Sequence, residues 1–179
     1  MLTITIPGKE YWDDNTEQFL YINGKTLQLE HSLISLSKWE SKWNKAFLSK
    51  RDKTYEETLD YIKCMTLTQN VDPLVYYGLT VENIEQINRY IEAPMTAVYF
   101  PKDKGAISRD TVTAELIYYW MITLNIPFEC QKWHLNRLIA LIKVCGMKNS
   151  PPKKTNGRAL ANSYKELNAA RRKQLNTKG

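Results

Sequence analysis

Glycine, histidine and cysteine are scarce in this sequence, and each scarcity excludes a class of structure or chemistry. Seven glycines among 179 residues argue against an all-β fold, which needs many tight turns. Only two histidines are present, and nothing near them suggests a Ser or Cys nucleophile with its base and orienting group. Three widely spaced cysteines, an odd number, predict free thiols in a reducing compartment rather than a disulfide framework.

Long apolar runs and catalytic motifs are also missing. The longest strongly apolar run, Leu116 to Leu124, is too short to cross a bilayer. The first residues, MLTITIPGKEYWDD, lack the basic and apolar regions of a secretory signal. No Walker loop, GxGxxG, HExxH or EF-hand loop occurs. We therefore expect a soluble intracellular protein without catalytic residues, without a cofactor and without a membrane partner.

A metal site is the remaining chemical hypothesis, because Cys130 and His134 are four residues apart and would share a helix face. Zinc needs about four ligands at one point. Cys145, on the same predicted helix, would lie roughly 22 Å from Cys130 at about 1.5 Å per residue. We therefore expect no metal site, and interpret the pair as a buried thiol beside a hydrogen-bonded core histidine.

The N-terminal residues carry the period of strands. Leu2, Ile4 and Ile6 alternate with threonines and are followed by Pro7-Gly8, which ends the strand. Phe19–Ile22 and Lys25–Glu30 flank Asn23-Gly24, the pair that favours a type I′ turn, and so predict a hairpin. Three short strands are expected to form a small antiparallel sheet.

From Ser32 onward the pattern becomes helical. Thr54 with Glu57 forms a capping box, and Thr80 is placed to cap a helix over Val81–Glu92. Two longer apolar segments, from 108 or 110 to 125 and from 128 to 144, predict a helical hairpin at the centre of the core, with Gly146 ending its second helix. The predicted fold is α+β and predominantly α-helical, with about five helices in one domain over residues 1–147.

Positive charge is concentrated at the C-terminal end. Residues 148–179 contain nine Lys or Arg and one acid, for a net charge of +8, whereas the remaining 147 residues hold 16 bases and 18 acids, for −2. A basic linker and helical tail over 148–179 are therefore predicted to follow a slightly acidic body.

Two tryptophans in KWESKW, Trp39 and Trp43, lie one helical turn apart. Both can close the core of the body. Alternatively, one edge stays exposed as a ridge for docking a partner, since aromatic residues are enriched among interface anchors.

The basic tail has three interpretations. It is a solvated extension, a nucleic-acid arm, or a helix that docks in a partner's groove. Few aromatic side chains are available to stack on bases, which disfavours nucleic acid without excluding it. A docking helix needs an apolar stripe beside polar residues, and the candidate partner-binding residues in the tail are Leu160, Tyr164, Leu167, Arg171, Arg172 and Leu175.

Four segments resemble a known family. They are HSLISLSKWESKW (31–43), YIKCMTLTQNVDP (61–73), LIYYWMITLNIPFECQKWHLNRLIALIKVC (116–145) and LNAARRKQLNTKG (167–179). Together they are similar to tailed-bacteriophage proteins of the late structural gene cassette that are described as tail assembly chaperones.

The resemblance implies a non-enzymatic protein in the host cytoplasm. Such a factor binds the tape measure protein, helps to recruit tail tube protein, and leaves before virion assembly is complete. A homo-oligomer is compatible with this role. The alternatives are a permanent virion component, such as a head-tail connector or minor tail protein, and a nucleic-acid-binding protein that acts through its basic tail.

Overall fold

The computed structural model describes residues 1–14, 17–100, 111–149, 164–169 and 171–172. The chain divides into two compact units, Met1–Gly146 and Met147–Gly179. The fold is helix-dominated α+β, which confirms the predicted class. Its strands are β1 (Leu2–Ile6), β2 (Lys9–Asp13), β3 (Gln18–Ile22) and β4 (Lys25–Leu29). Its helices up to residue 149 are α1 (Leu33–Trp43), α2 (Tyr55–Met65), α3 (Val81–Glu92), α4 (Ala114–Thr123) and α5 (Leu135–Asn149). Two 3₁₀ turns cover Pro73–Gly78 and Phe128–Lys132.

The strands form two separate antiparallel pairs, so the predicted three-strand sheet with a hairpin at Asn23-Gly24 is wrong. β1 pairs with β4, which places Ile4 opposite Leu27. β2 pairs with β3 as an independent two-stranded ribbon. The β1–β4 pair buries alternating apolar side chains on one face, and this long-range burial outweighs the local preference for a turn.

Gly24 is needed for a close approach rather than for a left-handed turn, since no described glycine has a positive φ. A Cβ at Gly24 would lie 2.8 Å from the main-chain nitrogen of Gly8 and 3.1 Å from the carbonyl oxygen of Ile6. The connections between the two strand pairs therefore pass each other at main-chain contact distance.

Three of the helices begin at local capping boxes. The side chains of Ser32, Thr54 and Thr80 each accept the amide of the third helical residue, whose own side chain accepts the amide of the capping residue in return. The structure confirms two sequence predictions, the capping box formed by Thr54 with Glu57 and the helix over Val81–Glu92 capped by Thr80. Each cap satisfies main-chain donors that the first helical turn would otherwise leave unpaired.

The core is organised around α1, which contacts α2, α4 and the second 3₁₀ turn. Leu33, Leu36 and Trp39 are completely buried in it. α4 contributes Ile117 and Met121, both also completely buried, whereas Tyr119 on the same helix is exposed. The centre of the core is thus α1 rather than the predicted hairpin of C-terminal helices.

The segment predicted as one helix from Phe128 to Val144 is divided by a cap at His134. The Nδ1 atom of His134 accepts the amide of Asn136 at 3.3 Å, so Nε2 carries the proton and donates to the carbonyl oxygen of Tyr90 at 2.9 Å. These bonds start α5 at Leu135. Gly146 does not end the helix, which continues to Asn149.

The second histidine is equally buried. His31 Nδ1 lies 2.6 Å from the Tyr61 hydroxyl, and its ring lies 5.1 Å from that of His134. Burial, with a smaller contribution from His134, lowers the pKa of His31 to about 3, and burial also lowers the pKa of His134. Both rings are therefore neutral structural groups at neutral pH.

A buried carboxylate ties α2 to the chain that follows α1. Glu57 accepts from Lys45 and from Arg51, each at 2.8 Å, and from the amide of Thr54 at 3.0 Å. The hydrogen bonds from Arg51 and Lys45 lower the pKa of Glu57 to about 2. The charged form of this side chain is therefore favoured in the folded state.

Gly24→Ala and Gly146→Ala are expected to change stability in opposite directions. A Cβ at position 24 meets main-chain atoms, so we expect a loss of about 1–3 kcal/mol in the free energy of unfolding. A Cβ at position 146 meets no atom within 4 Å, and alanine favours a helix over glycine by about 0.5–1 kcal/mol. Urea unfolding followed by circular dichroism measures both changes. A neutral Gly24→Ala would contradict the close approach.

Glu57→Gln is expected to remove part of the acid sensitivity of the fold. Because the folded-state pKa is depressed, the carboxylate stabilises the fold fully above its unfolded-state pKa, and this contribution is lost as pH falls from about 4.5 through about 2. The free energy of unfolding should therefore fall less steeply in that interval for Glu57→Gln than for the parent. The exposed neighbour provides the control, Glu56→Gln, which should keep the parent slope. Identical slopes for all three proteins would refute the ion-pair assignment.

Candidate functional site

An exposed aromatic face on the β2–β3 ribbon is the principal candidate site. Trp12 pairs directly with Phe19, and Glu10 pairs with Tyr21. Because side chains alternate along strands, these four residues share one face of the ribbon. Trp12, Phe19 and Tyr21 are 50%, 70% and 62% exposed. We refer to Trp12, Phe19 and Tyr21 as the aromatic face.

Contacts inside the ribbon hold the aromatic face in place. The rings of Trp12 and Phe19 meet edge to face, with centroids 4.9 Å apart, a favourable geometry for aromatic pairs. At the base of the ribbon Ile22 is buried, and β3 packs against the first 3₁₀ turn. The ribbon is therefore anchored to the body at the Ile22 end. Tyr21 lies next to that end, and the Trp12–Phe19 pair lies farther out along the ribbon.

The ribbon is acidic as well as aromatic. Residues 9–22 contain one base, Lys9, and four acids, Glu10, Asp13, Asp14 and Glu17, for a net charge of −3. No third strand among the described residues pairs with β2 or β3. A partner that presents apolar and basic side chains would complement this surface in both respects.

The two tryptophans proposed from sequence lie elsewhere, between α1 and α2. Trp39 is completely buried, and its indole N–H donates to the main-chain oxygen of Glu57 at 2.8 Å. Trp43 is half-buried and donates to Asp60 at 2.9 Å, and the two rings stack at 6.1 Å. Trp39 thus belongs to the core, which corrects its proposed role in an exposed ridge.

The tail residues are partly described. Residues 164–169 and 171–172 are helical, and Tyr164 and Leu167 are 60% and 50% exposed. Arg171 and Arg172 are also exposed. Helical spacing places Tyr164, Leu167 and Arg171 on one side. Leu160 and Leu175 lie outside the described residues, so their place on this stripe stays a prediction.

A polar cavity of about 310 Å³ lies next to Glu40. Burial raises the pKa of Glu40, but both of its carboxylate oxygens accept main-chain amides, from Phe47 at 2.8 Å and from Ala114 at 2.7 Å. Its role is to join α1 to the start of α4. Burial also raises the pKa of Cys64 to about 11, so this thiol is protonated and weakly nucleophilic at neutral pH.

The described part of the chain contains neither a metal-ligand cluster nor a membrane-spanning helix. No three His, Cys, Asp or Glu side chains in it are grouped so that they could hold a metal ion. Cys130 lies in the second 3₁₀ turn and His134 caps α5, so the two do not share a helix. None of the described helices has the length and apolar character needed to cross a membrane.

Sequence reasoning missed the aromatic face because large aromatic residues are usually buried. A signal was present in the sequence, since two strand-like segments, KEYWD and QFLYI, flank the polar stretch 14–17. Reading them as a hairpin would have placed Trp12 and Phe19 side by side.

No family model, no curated protein and no solved structure matches the chain.

Proposed function

We propose that this chain is a non-enzymatic bacteriophage tail assembly chaperone, which binds the tape measure protein and assists tail tube assembly. The observation that supports contact with another polypeptide is the aromatic face, where three large side chains on one ribbon are each at least half exposed. Exposed apolar patches of this kind are characteristic of interaction surfaces. The sequence resemblance names the partners.

The aromatic face by itself provides only part of the binding energy that such a role needs. Complete burial of a large apolar side chain contributes about 1.5–3 kcal/mol. Three side chains that are already partly covered would therefore add about 3–4 kcal/mol, whereas micromolar affinity corresponds to about 8 kcal/mol. A second contact is required, and the exposed helical tail with Tyr164, Leu167 and Arg171 is the candidate.

A two-point contact of moderate strength suits a factor that must leave. Each contact alone is weak, so a subunit of the tail tube that covers one of them on the partner can release the chaperone. A long helical partner presents repeated apolar positions, which several copies of this chain can cover at once. The proposed role thus needs contact surfaces and no reacting group.

Co-expression with the tape measure protein of the same gene cassette tests the proposal. We expect the parent chain to raise the soluble fraction of the partner several-fold. The double variant Trp12→Ser/Phe19→Ser should lose most of this effect, because it removes the central pair of the aromatic face. The matched control Tyr99→Ser removes an aromatic side chain that is 84% exposed but lies outside the ribbon, and it should retain the effect. Circular dichroism verifies that all variants fold.

Other outcomes would support a different function. A partner that is equally soluble without this chain, or insoluble in its presence, would reject the chaperone role. Recovery of this chain in fixed copy number from purified virions would identify a permanent structural component instead. A salt-sensitive gel shift with DNA that requires residues 148–179 would favour nucleic-acid binding through the tail.

A further inference from the structure

A second, unrelated feature of the body is an apolar cavity between α2, α3 and the segment that follows α1. Its volume is about 230 Å³. Phe47, Tyr61, Ile62 and Ile87 line it, and all four are buried. These side chains therefore form an apolar floor that is continuous with the core.

Among the described residues that line this cavity, Lys53 is the one with a charged side chain. Its ammonium lies 4.4 Å from the centroid of the Phe47 ring. Within the described residues Lys53 makes no ion pair, because Glu57 accepts from Lys45 and Arg51 instead. Burial, followed by the charge of Arg51, lowers the pKa of Lys53. The charges of Glu57 and Asp52 oppose this shift, although neither carboxylate forms a direct ion pair with Lys53 in the described part of the chain. A partly desolvated cation thus stands at the rim of an apolar space.

The volume of the cavity limits what it can hold. A dry apolar cavity of about 150 Å³ accepts a single benzene ring, and sites for drug-sized ligands usually begin near 300 Å³. A space of about 230 Å³ therefore suits an apolar group of roughly six to eight carbon atoms. Long-chain lipids and nucleotide cofactors are too large.

We propose that this cavity binds a short aliphatic monocarboxylate, with its hydrocarbon chain against the isoleucine and phenylalanine side chains and its carboxylate on the Lys53 ammonium. Charge complementarity selects the head group, since the one charged lining side chain is a cation. The polar lining residues Thr58 and Asn88 provide further hydrogen-bonding groups. The site shares no residue with the aromatic face, so it is independent of the proposed chaperone function.

Isothermal titration calorimetry of the full chain with octanoate, 1-octanol and butanoate tests this site. We expect octanoate to bind at least tenfold more tightly than either 1-octanol, which lacks the charge, or butanoate, which fills too little of the cavity. Lys53→Met keeps an unbranched apolar stem and removes the ammonium. It should weaken octanoate binding about tenfold, the loss typical of a charge-assisted hydrogen bond, and leave 1-octanol binding unchanged.

Two control variants locate the effect. Lys50→Met removes an exposed lysine of the same segment and should leave octanoate binding unaltered. Ile84→Phe fills the cavity from α3 and should abolish octanoate binding while the chain remains folded by circular dichroism. Absence of octanoate binding, equal affinity for octanoate and 1-octanol, or an unchanged affinity in Lys53→Met or Ile84→Phe would each overturn the proposal and leave the cavity a packing void.

Discussion

The hydrogen bond from the buried indole of Trp39 to the main-chain oxygen of Glu57 joins the two helices on which the body depends. It forms where α1 is least accessible, with Trp39 completely buried and Phe47 packed edge to face at 5.1 Å. A buried N–H without an acceptor would cost about 1–3 kcal/mol. Helix α2 is therefore held against α1. The carboxylate of Glu57 meets the cations of the segment that follows α1, and the carboxylate of Asp60 meets the half-buried indole of Trp43 on α1.

This arrangement determines which surfaces remain for function. Because α1 is enclosed by α2, α4 and the second 3₁₀ turn, Trp39 belongs to the core, and Trp43 packs against it half-buried. Buried polar groups such as Glu40, His31 and His134 are committed to hydrogen bonds that join elements. One surface that the body leaves open is the aromatic face of the ribbon. Its exposed apolar area and its acidity are the observations on which the proposed contact with another polypeptide rests.

Local features of the chain were predictable from sequence, and long-range ones were not. Caps at Thr54 and Thr80 act within one helical turn, so their residues alone define the starts of α2 and α3. The pairing of β1 with β4 joins residues that are distant in sequence, as in the pairing of Ile4 with Leu27, and the local turn signal at Asn23-Gly24 was misleading. For the same reason the periodic pattern identified α5 but not its start, which is set by contacts of His134 with Tyr90.

The candidate site shows the same division. The basic helical tail follows from composition and period, whereas the exposure of Trp12, Phe19 and Tyr21 depends on a ribbon that pairs only with itself. Hydrogen–deuterium exchange of the chain alone and in complex with the tape measure protein tests the central claim most directly. The account predicts slower exchange in β2, β3 and residues 164–172 on binding, with α1 and α2 unchanged. Protection confined to other parts of the body, with none in the ribbon, would contradict it.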